Sequence, residues 1–164
     1  MPSRLLLDLE RYVTAKVVYD RSQLYDRLPQ RHEFVQLDAV VHLDHEAGEA
    51  VAYRDVGEDE WWCRGHVPGR PLLPGVLMLE AGAQLAAFME KYSDPSFPGF
   101  VGFGGVDDCK FRKTVTPPSR LWLLCRRVDA RSRRTISDVQ GVVDGVLVFE
   151  ARVTGLIMQN PLSM

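Results

Sequence analysis

Residues 74–91 decide the fold; they read Pro-Gly-Val-Leu-Met-Leu-Glu-Ala-Gly-Ala-Gln-Leu-Ala-Ala-Phe-Met-Glu-Lys. The Pro-Gly pair opens a helix, Ala, Leu and Met fill it, and Ser93-Asp94-Pro95 ends it. Glu80 is the only charged residue before Glu90. Because this helix is apolar on nearly every face, we expect other parts of the protein to surround it.

The middle of this helix places a carboxyl group among small residues. Ala81, Gly82 and Ala83 allow a neighbouring backbone to approach closely. We therefore expect Glu80 to be shielded from water and to be held by a hydrogen bond from Gln84, one turn later. A carboxyl group held in this way can act as a general acid.

Two further groups precede or begin the helix. His66 lies in a Gly-His-Val-Pro-Gly turn, where glycine and proline restrict the chain enough to aim an imidazole as a general base. Near Gly75 the backbone N–H groups of the first helical turn lack intrahelical partners and can receive a carbonyl oxygen. Base, acid and N–H donor together favour proton abstraction next to a carbonyl and loss of a β-hydroxyl group.

These residue types also have a purely structural interpretation. A histidine in a Pro/Gly turn is often a structural hydrogen-bonding group, and a lone glutamate in an apolar helix is often satisfied by a neighbouring strand. The spacing of His66 and Glu80 alone leaves both interpretations open.

The motifs resemble those of the FabZ family, the hot dog fold 3-hydroxyacyl-acyl carrier protein dehydratases. The similarity spans roughly residues 24–157 and keeps the order of the family's motifs. The matching segments are Leu28-Pro29-Gln30-Arg31-His32-Glu33-Phe34, Gly65-His66-Val67-Pro68, Pro71-Leu72-Leu73-Pro74-Gly75-Val76-Leu77, Glu80-Ala81-Gly82-Ala83-Gln84 and Phe111-Arg112-Lys113-Thr114-Val115-Thr116-Pro117.

This resemblance implies a function and a site. It implies dehydration of 3-hydroxyacyl thioesters to trans-2-enoyl thioesters in fatty acid or related lipid biosynthesis, without a cofactor. His66 and Glu80 are then the catalytic pair, Gly75 N–H receives the thioester carbonyl, and Val67 and Gln84 contact the substrate. In the family the His and the Glu come from different subunits, which implies a homodimer, with a trimer of dimers as a further assembly.

Departures from the family pattern leave alternatives open. Val67 stands in place of the usual Phe, so the preferred acyl-chain length is open. Glu80, in place of the Asp of FabA-like dehydratase/isomerases, disfavours isomerase activity. The alternatives are a hot dog thioesterase, an enoyl thioester hydratase, or a non-catalytic subunit that binds acyl chains.

Composition predicts one domain over residues 1–164, with residues 1–20 as an N-terminal extension. A chain of 164 residues with 46% hydrophobic residues can bury a core, and a net charge of −2 does not favour nucleic-acid binding. No signal peptide or membrane span is expected. Three cysteines without metal-ligand spacing favour reduced thiols, so we expect a cytoplasmic protein.

The remaining pattern predicts an α+β fold, a single hot dog domain with an antiparallel sheet wrapped around one long helix. Residues 5–18 predict either a short helix or an added edge element. Residues 129–134 predict a polar turn, and Asp144-Gly145 predicts a tight hairpin. The predicted strands are residues 34–43, 49–56, 100–111, 121–128, 136–143 and 146–157.

Side chains around these motifs suggest contacts with substrate and partner. Acyl carrier proteins are acidic, so basic residues near the motifs are candidate contacts with one. These basic residues are Arg64, Arg70, Lys110, Arg112, Lys113 and Arg120. Candidate walls of an acyl tunnel are Trp61, Trp62, Phe88, Phe100 and Phe103, although residues of these types more often belong simply to the core. The segment His42-Leu43-Asp44-His45-Glu46 lacks a complete ligand set, and no metal site is expected.

Overall fold

One antiparallel sheet packed against a central helix forms the protein. The computed structural model describes residues 4–159. The short helix α1 is Arg21–Tyr25, and the central helix α2 is Gly75–Ala87. The seven strands described are β1 (Tyr19–Asp20), β2 (Ala39–Asp44), β3 (Glu49–Val56), β4 (Gly99–Phe111), β5 (Ser119–Arg131), β6 (Arg134–Val143) and β7 (Val146–Gln159).

Strand order places the segment after the central helix at one edge of the sheet. The order is β1-β2-β3-β5-β6-β7-β4, and the paired strands are antiparallel. The chain therefore leaves α2, crosses the sheet and adds β4 beside β7. An antiparallel sheet around one long helix confirms the predicted α+β hot dog fold.

The central helix approaches the sheet closely at a glycine. A β-carbon placed on Gly82 would lie 2.9 Å from Val139 Cγ2 and 3.3 Å from Phe149 Cζ. Those distances are too short for a side chain, so glycine lets the helix lie directly on the sheet. Beyond Ala87 the helix continues as a π-helical turn, Phe88–Tyr92, which confirms the predicted helix over residues 74–91.

Most of the apolar core lies between this helix and the inner face of the sheet. Burial removes these side chains from water and supplies the main stabilising free energy of the fold. The largest fully buried side chains of this core include Trp62, Phe88, Phe149, Leu24, Leu28, Leu37, Leu85, Met89, Leu121 and Leu123.

A second apolar cluster covers the opposite, outer face of the sheet. Leu7 and Leu9 pack there on Trp122, and Leu6 N–H donates to Gln140 Oε1 at 2.8 Å. Residues 5–18 are neither of the predicted elements, since their regular structure is one 3₁₀ turn at Leu9–Arg11. Apolar residues that alternate along the strands form a surface on the outer face of the sheet. A segment without regular structure can pack on that surface.

Some predicted strand bounds differ from the structure. Residues 34–38 precede β2, because a 3₁₀ turn at His32–Phe34 occupies the start of the predicted strand. The turn between β5 and β6 is shorter than the polar turn predicted over residues 129–134, because Arg131 and Arg134 pair across these strands. Both arginines also form ion pairs with Asp129, so charged side chains support strand pairing there. The hairpin at Asp144-Gly145 is confirmed, with both residues at positive φ.

The described helices are short relative to a lipid bilayer. Between residues 4 and 159 we find no helix with both the length and the apolar character that crossing a membrane requires.

We expect Leu9→Ala to destabilise the protein through the outer cluster. Leu9 is 7% exposed, and its truncation leaves a cavity against the sheet that costs about 2 kcal/mol. Val13→Ala is the matched control in the same segment, because Val13 is 48% exposed. Urea denaturation measures both changes. Equal unfolding free energies for Leu9→Ala and wild type would contradict packing of this segment on the sheet.

Candidate active site

A cavity of about 260 Å³ lies beside the central helix. The helix contributes Glu80, Ala83, Gln84, Ala86 and Ala87, which form one stripe because each lies three or four residues from another member. Strands β4, β6 and β7 and the segment around Phe34 complete its walls. The stripe places a half-buried carboxyl group on an otherwise largely apolar surface.

Gln84 forms a hydrogen bond with Glu80 and is itself held by hydrogen bonds with other residues. Gln84 Nε2 donates to Glu80 Oε1 at 2.8 Å and to the Phe34 carbonyl oxygen at 2.6 Å. Gln84 Oε1 accepts from Tyr25 O–H at 2.5 Å and from Gln36 N–H at 3.3 Å. The predicted bond between Gln84 and Glu80 is therefore present. It engages Glu80 Oε1 and leaves Oε2 for a reacting group.

Tyr25 fixes the direction of the Gln84 amide. Its hydroxyl accepts from Gln36 N–H at 2.8 Å and Leu37 N–H at 3.0 Å, so its own proton points to Gln84. Burial raises the pKa of Tyr25 to about 12, which keeps that proton in place at neutral pH. Because Gln84 Oε1 faces Tyr25, Nε2 faces Glu80. Nothing in the sequence pattern singles out Tyr25.

His66 lies on an exposed loop with one ring nitrogen engaged. His66 Nδ1 is 2.9 Å from the Leu72 carbonyl oxygen. A carbonyl oxygen only accepts hydrogen bonds, so Nδ1 carries the proton in neutral imidazole and Nε2 carries the lone pair. The loop is fixed by His66 N–H, which donates to the Trp62 carbonyl oxygen at 2.9 Å. His66 is thus arranged to act as a base through Nε2.

The start of the central helix has N–H groups available to a ligand. Pro74 occupies the N-cap position without a capping side chain from the described residues. The first amide that bonds back to Pro74 is Leu77 N–H, at 3.0 Å. The amides of Gly75 and Val76 precede it and can receive a carbonyl oxygen.

A single chain does not assemble all of these groups in one cavity. Of the residues that the structure describes, His66, Val67 and Gly75 are not among those lining the cavity beside Glu80. Glu80 and Gln84 meet there, whereas the imidazole lies on the loop before the helix. The cavity is instead flanked by β4, which lies at the edge of the sheet.

Two of the five predicted aromatic wall residues line this cavity. These are Phe100 and Phe103 on β4. Trp62 and Phe88 belong to the apolar core, because their side chains are almost completely buried. Trp61 is 55% exposed and lies beside a smaller polar pocket. Phe34, which the wall prediction omits, also lines the cavity.

The predicted basic residues occupy different surfaces. Arg64 and Arg70 are exposed on either side of His66, and Lys110 and Lys113 are exposed at and just beyond the end of β4. Arg112 forms an ion pair with Glu150. Arg120 forms two hydrogen bonds with Asp55, at 2.7 and 2.9 Å, and lies over the Tyr53 ring on the outer face.

Other titratable side chains do not line the cavity. Burial raises the pKa of the Cys125 thiol. His42 packs against Tyr12, and His45 Nε2 is 3.2 Å from Ser93 Oγ. Over residues 4–159 no group of three His, Cys, Asp or Glu side chains is arranged to hold a metal ion.

Comparison with known proteins gives consistent matches. The FabA-like domain family matches residues 28–152. The chain is 36% identical to the 3-hydroxyacyl-[acyl-carrier-protein] dehydratase FabZ of Bacillus velezensis, over 82% of this chain and 95% of that protein. It is 37% identical to the protein of the same name from Thiobacillus denitrificans, over 87% of this chain and 99% of that protein.

Solved structures show the same fold at lower sequence identity. One is a chain of the dehydratase heterocomplex ApeI:P from Xenorhabdus doucetiae, with a TM-score of 0.66, 17% identity, and coverage of 84% of this chain and 91% of that chain. Another is a hypothetical thioesterase with coenzyme A from Streptococcus pneumoniae, with a TM-score of 0.55, 11% identity, and coverage of 82% and 92%. At these identities the similarity concerns the fold alone.

We expect Tyr25→Phe to destabilise the protein and to change its pH dependence. Leu37 N–H loses its acceptor and Gln36 N–H keeps only its longer bond to Gln84 Oε1, at a cost of about 1–3 kcal/mol. Tyr25 has a pKa raised from 10.0 to about 12, so its stabilising contribution is complete below pH 10 and is lost as pH rises towards 12.

Denaturant unfolding at several pH values tests this prediction. The difference in unfolding free energy between wild type and Tyr25→Phe should narrow as pH rises from 10 towards about 12. Tyr12→Phe, on the outer face, is the matched control. A constant difference across that range would exclude a buried, protonated Tyr25 as the origin.

Proposed function

The chain belongs to the FabA-like domain family. From this membership and from its FabZ relatives, we propose that it is a 3-hydroxyacyl-[acyl-carrier-protein] dehydratase, a hydro-lyase of fatty acid biosynthesis. The observation that carries the proposal is the half-buried Glu80 carboxyl, held by Gln84 beside a cavity able to accept an acyl chain. The FabZ relatives share 34 to 37% of their residues with the chain over most of its length.

The reaction divides between a base, an acid and a backbone donor. His66 Nε2 removes the C2 proton of the 3-hydroxyacyl thioester, and Gly75 N–H stabilises the negative charge that develops on the thioester oxygen. The C2–H electron pair forms the C2–C3 double bond as the C3–O bond breaks. Glu80 donates its proton to the departing hydroxyl, and water leaves. No cofactor takes part in these steps.

The active site is shared between two subunits of a homodimer. His66 and the cavity of Glu80 do not meet within one chain, and the cavity is flanked by the edge strand β4. Within the described chain, β4 pairs on one side with β7, and Phe100, Phe103, Val106 and Phe111 are exposed along it. Long edges with exposed apolar side chains commonly pair with another chain. Pairing of β4 with its counterpart brings His66 of the partner subunit towards Glu80.

Three such dimers can assemble further into a hexamer. The dimer itself completes the site, because it supplies both the imidazole and the carboxyl group. A trimer of dimers would repeat the same pair of composite sites without changing their chemistry.

The substrate arrives on an acyl carrier protein. Such carriers are acidic, and a basic rim attracts them. Arg64 and Arg70, which flank His66, and Lys110 and Lys113 are exposed, and Arg112 adds positive charge beside Glu150. Arg120 is bound to Asp55 on the outer face and supplies the weakest support for such a rim. The free thiols Cys63, Cys109 and Cys125 favour a reducing compartment, so we place the reaction in the cytoplasm.

We expect His66→Ala and Glu80→Gln each to lose 10²- to 10⁴-fold in turnover, the usual contribution of a general acid or base. Gln at position 80 keeps the shape of the side chain and an oxygen that accepts from Gln84, so the fold should be preserved. Absorbance of the enoyl thioester measures interconversion of 3-hydroxyacyl and trans-2-enoyl thioesters on carrier protein and on coenzyme A.

His45→Ala is the matched histidine control, because His45 contacts Ser93 away from the cavity. Near wild-type turnover in His66→Ala or Glu80→Gln would overturn the proposed roles. Release of free thiol without enoyl formation would identify a thioesterase instead, and preference for coenzyme A thioesters would favour a hydratase. A folded wild-type protein without turnover on any thioester would indicate a non-catalytic acyl-binding subunit.

We expect the two inactive variants to complement each other when their subunits are mixed. A dimer with one His66→Ala and one Glu80→Gln subunit has one intact site and one doubly altered site. Random mixing then restores about a quarter of wild-type turnover. Co-expression with two affinity tags isolates the mixed dimer for assay. Persistent inactivity of that dimer would show that His66 and Glu80 act within one chain.

A further inference from the structure

We propose that the distal end of the cavity beside Glu80 is a binding subsite for an oxygen substituent on the acyl chain, formed by the hydroxyl groups of Ser137 and Thr135. This inference rests on the proposed function, because it assigns the class of acyl chain that the same cavity accepts. The ligand group is a carbonyl or hydroxyl oxygen carried far from the thioester.

Ser137 presents a buried hydroxyl to the cavity. Its side chain lines the cavity, the residue is 1% exposed, and Ser137 Oγ has no oxygen or nitrogen partner among residues 4–159. Burial raises the pKa of the Cys125 thiol and a side-chain hydrogen bond with Ser137 lowers it, but a thiol is a weak donor and acceptor. Buried polar groups in native proteins are nearly always paired, so this hydroxyl is available to a ligand.

Gly155 leaves space in front of the second hydroxyl group, that of Thr135. Thr135 is 5% exposed and pairs directly with Gly155 across β6 and β7. A β-carbon on Gly155 would lie 2.7 Å from Thr135 Oγ1 and 3.0 Å from Val101 Cγ1. Any larger residue would therefore fill the space in front of the hydroxyl. With glycine there, Thr135 and Gly155 both line the cavity.

The two hydroxyls lie far from the reacting carbons. Val139 packs on Gly82, whereas Ser137 and Thr135 share the cavity with Ala86 and Ala87. Arg127, which pairs with Ser137 across β5 and β6, forms an ion pair with Glu90 beyond the end of α2, so β6 runs antiparallel to the helix. Ala87 lies seven positions after Glu80, a rise of about 10 Å. The subsite is thus close to the distal end of a bound chain.

Much of the remaining cavity wall is suited to hydrocarbon, because Ala83, Val101, Phe103 and Val153 lie along it. Gln30 and Thr154 add polar side chains to the same wall. An unsubstituted chain would place its apolar end against the two hydroxyls and leave them without partners, which costs free energy. A chain with a distal oxygen satisfies them, since a hydroxyl group both donates and accepts. Thr135 and Ser137 thereby favour oxygenated over plain acyl chains.

Calorimetric binding of non-reacting ligands tests this subsite directly. The probes are saturated acyl-pantetheine thioesters of equal length, one plain and the others with a carbonyl at each carbon of the distal half in turn. We expect wild type to bind one oxygenated probe about tenfold more tightly than the plain probe, the contribution of one hydrogen bond. Ser137→Ala and Thr135→Val should reduce or abolish this preference.

Ser119→Ala is the matched control variant. Ser119 Oγ is likewise buried without a partner in the described chain, but it belongs to β5 and does not line this cavity. It should keep the wild-type preference. Absence of binding, absence of preference, or a preference that survives in both Ser137→Ala and Thr135→Val would each overturn the subsite.

Turnover is measured separately from binding, so the proposed dehydratase activity and the proposed subsite can each be refuted without the other. Enoyl formation from plain 3-hydroxyacyl thioesters without any binding preference for oxygenated probes would leave the dehydratase intact and remove the subsite. Binding preference without enoyl formation would leave the subsite intact and remove the dehydratase.

Discussion

Close contact between the central helix and the sheet at Gly82 determines the position of everything in the site. With Val139 Cγ2 only 2.9 Å from where a β-carbon would lie, the helix cannot rotate or shift without losing the contact. That contact directs the stripe of Glu80, Gln84 and Ala87 to the side of the sheet where β4 ends it. A cavity forms there because Ala83, Ala86 and Ala87 on the helix and Gly155 on β7 leave space beside Phe100 and Phe103.

A polar network on the same helix places one carboxyl oxygen at the cavity. Tyr25 donates to Gln84, and Gln84 donates to Glu80, so the direction of each hydrogen bond is determined by the one before it. This series of hydrogen bonds begins at Gln36 N–H and Leu37 N–H, which are backbone groups just before β2. Glu80, the acid of the proposed reaction, is therefore oriented by backbone groups that precede β2, through a tyrosine that does not line the cavity.

The same sheet has two unlike faces and two edges, of which the β4 edge lies beside the cavity. The inner face packs on the helix, and the outer face is covered by the N-terminal segment through Leu7 and Leu9. The edge strand β4 keeps Phe103 exposed at the cavity. Our homodimer proposal follows from this asymmetry, because edge strands with exposed apolar side chains commonly pair with another chain.

Local patterns in the sequence predicted the helix over residues 74–91, the sheet, and the hydrogen bond between Gln84 and Glu80, because caps, periodicity and turn residues act over a few positions. The packing of residues 5–18 on the outer face, the burial of Trp62 and Phe88 in the core, the bond from Tyr25 to Gln84, and the position of Ser137 and Thr135 at the cavity came from the folded structure alone. These outcomes depend on contacts between residues far apart in the chain. Local patterns carry no signal for such contacts.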